Sequence, residues 1–478
     1  MDSTTKATPW RQFIPLVTVF FFWGFVAASN DILIPVFKHS FQLSQQQSQL
    51  VSVAFYVAYT VGSLIYLLAS KLMGADPLNR LGYKNGLALG LGLSALGTLF
   101  FYPAANTGSF ALMLSGLFVV GLGFSLQQTA ANPLAIALGD PKTGAQRLTL
   151  AGGVNNFGTM IGPLIVSFAI FGNNPHHDTQ LGIEAVKIPY LILGLAFIAV
   201  ALMLKFSPLP DQSTVVQEEA GNAASERRSA LDFPQLTMGM LAIFVYVGVE
   251  VSTASNLPEY MTSKLGYQTQ QIAPFISLYW ASLMIGRWTG AVDAFNLQAG
   301  GKKIAKALAP YLAFSLFLLV NALAQHDLSV FYVYGALVLI LLAMDMLSQS
   351  DPAKMLLYYA LTAICALIIG MNSSGMVSVY AFTSIGLFCS TLWPCIFALA
   401  INGLGKHTSQ GSNFLIMMIM GGGIVSWLQG AIADWSGIQQ SYWVGVACFA
   451  YLAFYAWKVP QLLGKQGLQT GQAGLAAH

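Results

Sequence analysis

Two carboxylates lie where carboxylates are costly. Asp31, in Ala-Ser-Asn-Asp-Ile-Leu-Ile, and Glu250, in Phe-Val-Tyr-Val-Gly-Val-Glu-Val-Ser, each fall well inside an apolar run of membrane-spanning length. A charge at the centre of a bilayer costs about 2.5–3.5 kcal/mol on insertion scales, so residues of this kind are functional candidates. A carboxylate withdrawn from water needs a proton, a cation or hydrogen-bond donors. Its chemistry is then ion loading and release, or acceptance of hydrogen bonds from a polar solute. Most of the other acids fall in loops or at helix ends.

Amides gather around these acids. Asn30 precedes Asp31. Leu-Gln-Gln-Thr-Ala-Ala-Asn-Pro holds Gln127, Gln128 and Asn132, and Gly-Gly-Val-Asn-Asn-Phe-Gly holds Asn155. Gln128 and Asn132 are four apart and share a helix face, as do Asn155 and Thr159. An amide both donates and accepts, which suits a ligand that does both, such as a sugar hydroxyl. The competing use of each amide is to bond one membrane helix to another. Tyr246, one turn before Glu250, and Trp393, before Pro394, offer aromatic faces on which the C–H side of a sugar ring can stack. Arg287, in Met-Ile-Gly-Arg-Trp-Thr-Gly, is expected to snorkel or brace the helices rather than to bind a solute.

The elements that carry these residues follow from composition. The chain has 478 residues, 56% hydrophobic and 8% charged. A soluble protein carries roughly 25% charged residues, so an all-α polytopic membrane protein is expected. Apolar runs of about 20 residues place spans near 12–35, 48–72, 83–103, 109–138, 147–173 and 186–206. A charged stretch follows, and further spans fall near 235–262, 271–295, 304–324, 329–348, 355–371, 374–401, 411–433 and 441–460. This gives an N-terminal six-helix bundle at 1–206, a cytoplasmic linker at 207–234, a C-terminal bundle at 235–462 and a cytoplasmic tail at 463–478. With the N-terminus inside, only Lys38, Lys187 and Lys264 fall in outside loops. The other basic residues lie inside, as the positive-inside rule requires, and both termini are cytoplasmic.

The four cysteines, Cys365, Cys389, Cys395 and Cys448, lie in apolar stretches without metal-site spacing. No zinc signature, nucleotide loop, nucleophile elbow or nucleic-acid patch is present. No enzyme activity, cofactor or metal is expected. Two bundles joined by a long polar loop point to a transporter built from repeats.

Residues 74–84, Gly-Ala-Asp-Pro-Leu-Asn-Arg-Leu-Gly-Tyr-Lys, resemble the cytoplasmic loop signature of the major facilitator superfamily, one residue longer than usual. The resemblance makes Asp76 and Arg80 a conformational gate. Further motifs, Ser-Asn-Asp-Ile-Leu-Ile-Pro, Gln-Gln-Thr-Ala-Ala-Asn-Pro, Arg-Leu-Thr-Leu-Ala-Gly-Gly-Val-Asn-Asn-Phe-Gly and Gly-Ser-Asn-Phe-Leu-Ile-Met-Met, resemble the fucose–proton symporter family of that superfamily across most of the chain. The resemblance implies two six-helix bundles and makes Asp31 the protonation site. Asn155 matches the family's helix 5 asparagine. Gln128 stands where fucose symporters carry a glutamate; it can bind but cannot carry a proton. Gln128 together with Glu250 is closest to the glucose/galactose and N-acetylglucosamine branch. The family has 12 helices, so the extra spans at about 300–350 read as an inserted pair, making about 14.

The expected function is secondary active, H⁺- or Na⁺-coupled uptake of a hexose such as glucose or galactose across a bacterial inner membrane. Fucose or N-acetylglucosamine symport, and export of a sugar or metabolite, are the alternatives. Asp31 and Glu250 are the ion-coupling candidates. Asn30, Gln128, Asn132, Asn155, Tyr246, Glu250, Trp393 and Asn413 are the candidates for sugar binding between the bundles. The expected partners are the sugar and membrane lipid, with no nucleic acid, and a monomer is expected.

Overall fold

Apolar helices are what lipid demands, because each backbone N–H and C=O must be satisfied within its own segment. The computed structural model describes residues 9–73, 77–138, 144–171, 183–209, 230–292, 299–349, 351–404 and 408–468. Asp76, most of the linker and the last ten residues lie outside the described residues. Among the described residues the structure is helical, without strands.

The first long helices are α1 (Trp10–Phe41), α2 (Leu50–Met73), α3 (Tyr83–Leu99), α4 (Phe110–Ala137), α5 (Gly144–Phe171) and α6 (Lys187–Phe206). Next come α7 (Pro234–Leu265), α8 (Thr269–Ala291), α9 (Ala299–Leu323), α10 (Tyr334–Ser348) and α11 (Pro352–Asn372). The last are α12 (Met376–Cys389), α13 (Leu392–Ile401), α14 (Thr408–Met417), α15 (Gly421–Ser436) and α16 (Trp443–Gly464). Caps fix several starts. The Ser109 hydroxyl accepts from the Leu112 N–H at 3.3 Å ahead of α4. Asp351 accepts from the N–H groups of Ala353 and Lys354 at 2.9 and 3.0 Å, with Pro352 at the first helical position of α11.

Among the described residues, thirteen spans are long and apolar enough to cross a membrane. α8 is not one of them, yet it has the length, at 23 residues, and buries Ile276, Tyr279, Leu283 and Ile285. With α8 added to the thirteen, the expected fourteen spans each have a helix. Most bounds shift by a few residues, and two departures bear on the site. α1 runs through Pro35 to Phe41 instead of stopping at residue 35. A membrane helix tolerates such a proline because neighbouring groups re-satisfy the freed carbonyl. The span expected over 374–401 is interrupted by a turn at Ser390 and Thr391.

The chain divides into two compact units. In the first, α1 packs most extensively on α5, and α3 on α4 and α6. Glycine sets the α1–α5 approach. A Cβ at Gly24 would collide with the Asn155 carbonyl, and one at Gly158 with the Phe21 carbonyl. One at Gly162 would stand 2.5 Å from the Phe25 carbonyl oxygen.

In the second unit α7 packs on α15 and α16, α11 on α12 and α16, and α8 on α9 and α12. Residues Leu43–Val53 group with this unit. The Asp434 carboxylate accepts the backbone N–H groups of Gln45 and Gln46, each at 2.8 Å, and the Gln45 amide donates to Asn256 Oδ1 at 2.9 Å. α9 and α10 are joined by a Lys306–Asp345 ion pair at 3.5 Å. The Tyr334 hydroxyl of α10 lies 2.7 Å from Ser282 Oγ of α8 and donates to the Thr383 carbonyl of α12 at 3.2 Å.

Gly24→Ala and Gly158→Ala should each force α1 from α5 at a cost of about 1–3 kcal/mol. A lower melting temperature of the detergent-solubilised protein is expected for both. Gly92→Ala is the control, because nothing lies within 4 Å of a Cβ there. Equal melts for all three variants would contradict this account of the contact.

Candidate functional site

The polar residues of the first unit sort into those used up by packing and those left over. Trp23 Nε1 donates to Gln127 Oε1 at 3.0 Å, and Gln127 Nε2 donates to Ser94 Oγ at 3.0 Å. This chain ties α1, α4 and α3 together and fully buries Gln127. Asn155 also serves packing, since its amide donates to the Phe20 carbonyl of α1 at 2.9 Å. Gln128 is half-buried and reaches the Tyr59 hydroxyl at 3.4 Å. Asn132, one turn further along α4, is half-buried too.

Asn30 and Asp31 are each 3% exposed. Among the described residues, neither the nitrogen nor the oxygen of the Asn30 amide has a hydrogen-bond partner. A buried amide left in that state costs about 1–3 kcal/mol, so the position suits a bound ligand or water. Asp31 is the only acid in the helices α1–α6.

In the second unit three expected residues converge. The Tyr246 hydroxyl donates to a Glu250 carboxylate oxygen, one turn away on α7. The Tyr246 and Trp393 rings have centroids 6.2 Å apart at 54°, and Trp393 stacks in turn on Phe397 at 6.3 Å. Tyr246 is 1% exposed, while Glu250 and Trp393 are half-buried. A carboxylate is thus held beside an indole plane, an arrangement that accepts hydrogen bonds from one edge of a ring while an aromatic face covers its apolar side.

The helix break supplies further partners. Pro394 has no N–H to give the Ser390 carbonyl, four residues earlier. That carbonyl instead accepts from Arg287 Nε at 3.3 Å, and the neighbouring Cys389 carbonyl accepts from the Tyr246 hydroxyl at 3.2 Å. Arg287 therefore braces α12, as its sequence position suggested.

Asn413 is not part of this cluster. Gly411, two residues before it, packs on Leu236 at the start of α7. Leu236 precedes Glu250 by fourteen residues, about 21 Å along a helix. Arg80 is exposed and its guanidinium donates to the Met73 carbonyl at 3.4 Å. Its expected gate partner, Asp76, lies outside the described residues.

Three participants escaped sequence reasoning. Tyr279 is fully buried, and its hydroxyl donates to the Glu250 carbonyl at 2.7 Å. Tyr59 stands at Gln128. Ser390 accepts Arg287. Pro394 was the available signal for the last, since a proline inside a span frees the carbonyl four residues before it.

The Major Facilitator Superfamily sequence profile matches residues 16–353. The chain belongs to the Major Facilitator Superfamily. It is 34% identical over 442 residues to a glucose/galactose transporter of Brucella abortus, covering 92% of each protein. It is 29% identical over 465 residues to the L-fucose-proton symporter of Escherichia coli, covering 93% of this chain and 92% of that one. Among solved structures it is similar to FucP, a Major Facilitator Superfamily transporter in the outward conformation. The TM-score is 0.60 at 28% identity, over 94% of this chain and 98% of that one. A bacterial homologue of the human lysosomal transporter Spinster shares the fold at 14% identity and a TM-score of 0.60. The resemblance read from the sequence is borne out, and the relatives of this superfamily member are transporters, not enzymes.

Tyr246→Phe should leave the Glu250 carboxylate and the Cys389 carbonyl without this donor. The expected loss is about 1–3 kcal/mol, read as a lower melting temperature. The loss should shrink but not vanish when the same change is made in a Glu250→Gln background, because the Cys389 carbonyl still loses its donor. An unchanged melt in the native background would remove the hydroxyl from this account.

Proposed function

We propose that the protein is a proton-coupled hexose symporter that takes up glucose or galactose across a bacterial inner membrane. The observation that carries this reading is the Tyr246–Glu250 pair beside Trp393. A pyranose presents hydroxyls around its rim and C–H groups on its faces. Glu250 accepts from the rim and Trp393 covers a face. Within the first unit, Gln128, Asn132 and the unpartnered Asn30 amide are a separate set of mixed donors and acceptors suited to hydroxyls. The relatives named for glucose, galactose and fucose favour a monosaccharide.

The two acids then divide the work. Asp31, buried in a unit whose membrane helices carry no other acid, is the coupling site. Glu250 receives the Tyr246 hydroxyl and stands beside the Trp393 indole, so it acts as a sugar acceptor. The relative named as a proton symporter favours H⁺ over Na⁺. Asn155 acts through the α1–α5 contact rather than on the sugar, and Asn413 stands apart from it.

The same reading takes α9 and α10 as a helix pair inserted into a twelve-helix plan. The first unit's contacts of α1 with α5, and of α3 with α4 and α6, are matched in the second by α7 with α15, and by α11 with α12 and α16. α9, which packs on α8, and α10 have no counterpart among these matched contacts. Both termini are assigned to the cytoplasm.

Counterflow of labelled glucose, galactose, fucose and N-acetylglucosamine into proteoliposomes, under imposed H⁺ or Na⁺ gradients, tests this reading. Saturable exchange of glucose or galactose, with accumulation driven by a proton gradient, is expected. No saturable exchange of any of the four would end the hexose reading, and accumulation driven by Na⁺ alone would reassign the ion. Asp31→Asn should lose accumulation and keep exchange; accumulation at the native level would remove Asp31 as the coupling site. Glu250→Gln should raise the half-saturation concentration about tenfold, the value of one charge-assisted hydrogen bond.

A further inference from the structure

Arg287 has no place in the sugar site described so far, yet the geometry ties it to that site twice. The first tie is through the backbone. The chain between α12 and α13 is broken at Ser390 and Thr391, and Pro394 cannot supply the N–H that an unbroken helix would give to Ser390. Arg287 Nε fills that position at 3.3 Å. The approach is made possible by the residue just before it, because a Cβ at Gly286 would collide with Ser390 Oγ. The adjacent Cys389 carbonyl accepts from the Tyr246 hydroxyl, and the same hydroxyl donates to Glu250. Glu250, Tyr246, the two carbonyls of the break and Arg287 therefore form one continuous path across α7, α12 and α8.

The second tie is the head group itself. A guanidinium offers five N–H donors in a fixed plane, so Nε can hold a carbonyl while the remainder of the group presents charge elsewhere; a lysine ammonium has no such fork. Trp393 lies in the first turn beyond the break, so whatever fixes the break also fixes where the indole stands.

We propose that Arg287 is a positioning residue that clamps the break between α12 and α13 and, through Tyr246, holds Glu250 at a set distance from Trp393. The role rests on the reading that Glu250 and Trp393 bind the sugar. Arg287 acts through Glu250 and the helix break, without touching the solute.

A double-mutant cycle tests this on two readouts. The single variants Arg287→Gln and Glu250→Gln and the double variant are compared for half-saturation in counterflow of labelled glucose or galactose, and for melting temperature without sugar. Each single variant is expected to raise half-saturation about tenfold, and the double variant by no more than about tenfold, because the second change removes a partner already lost. Effects that multiply to about a hundredfold would overturn the proposal, since Arg287 would then act independently of Glu250. So would an unchanged half-saturation in Arg287→Gln. The melts should be non-additive in the same sense, and additive melts would overturn the pairing whether or not sugar is bound. If Glu250→Gln leaves half-saturation unaltered, the sugar-binding reading fails while the melts still decide the pairing. Should Arg287→Gln not accumulate in the membrane, Arg287→Lys carries the test. It keeps the charge and loses the fork, and a rise of about threefold is expected; native half-saturation and melt in this variant would overturn the proposal.

Discussion

Inside a bilayer a polar group has no water to turn to, and that constraint organises the rest of this structure. Every backbone donor and acceptor must be met within a helix, and every buried side-chain amide or hydroxyl must find a protein partner or a ligand. Gln127 meets the requirement by bonding Trp23 on one side and Ser94 on the other. Tyr246 meets it by sharing its one hydroxyl proton between Glu250 and the Cys389 carbonyl. Asn30 does not meet it among the described residues.

Satisfying these groups requires helices that come close, and glycine allows it. The α1–α5 contact brings backbone against backbone at Gly24, Gly158 and Gly162, and α7 meets α15 in the same way at Gly421, where a Cβ would collide with the Phe244 carbonyl. In lipid there is no hydrophobic force between helices, so packing and interhelical hydrogen bonds must supply the association. Asn155 shows both at once. Its carbonyl faces Gly24 and its amide bonds Phe20, so a residue suited to bind a sugar is committed to holding α1.

The break between α12 and α13 is the counterpart of this order. A proline within a span leaves a carbonyl that some other donor must take up. Here the donor is a charged side chain from α8, and the neighbouring carbonyl belongs to the hydroxyl that holds Glu250. Backbone irregularity, charge balance and the aromatic face of Trp393 are thereby concentrated in one region of the second unit. α8, the long helix that falls outside the thirteen apolar spans, is the one that carries Arg287.

Much of the fold was legible in the sequence, because length and apolarity alone decide whether a segment can cross a membrane. The fourteen spans, the acids within them and the superfamily followed from that and from short motifs. The pairing of Tyr246 with Glu250 was foreshadowed by their spacing of four. Other assignments were decided by tertiary structure. Whether an amide is free for a ligand depends on which helix lies opposite, and periodicity does not say: Asn155 and Gln127 turned out to be occupied, Asn30 did not. Asn413 shares a motif with the family but lies toward the far end of α7. Arg287 reads from sequence as a residue near a helix end, and only the folded chain brings it to the carbonyl that Pro394 leaves open. The sequence determined which polar groups enter the membrane, since their cost of burial is local. The tertiary structure decided which of them meet, since their compensation comes from residues distant in the chain.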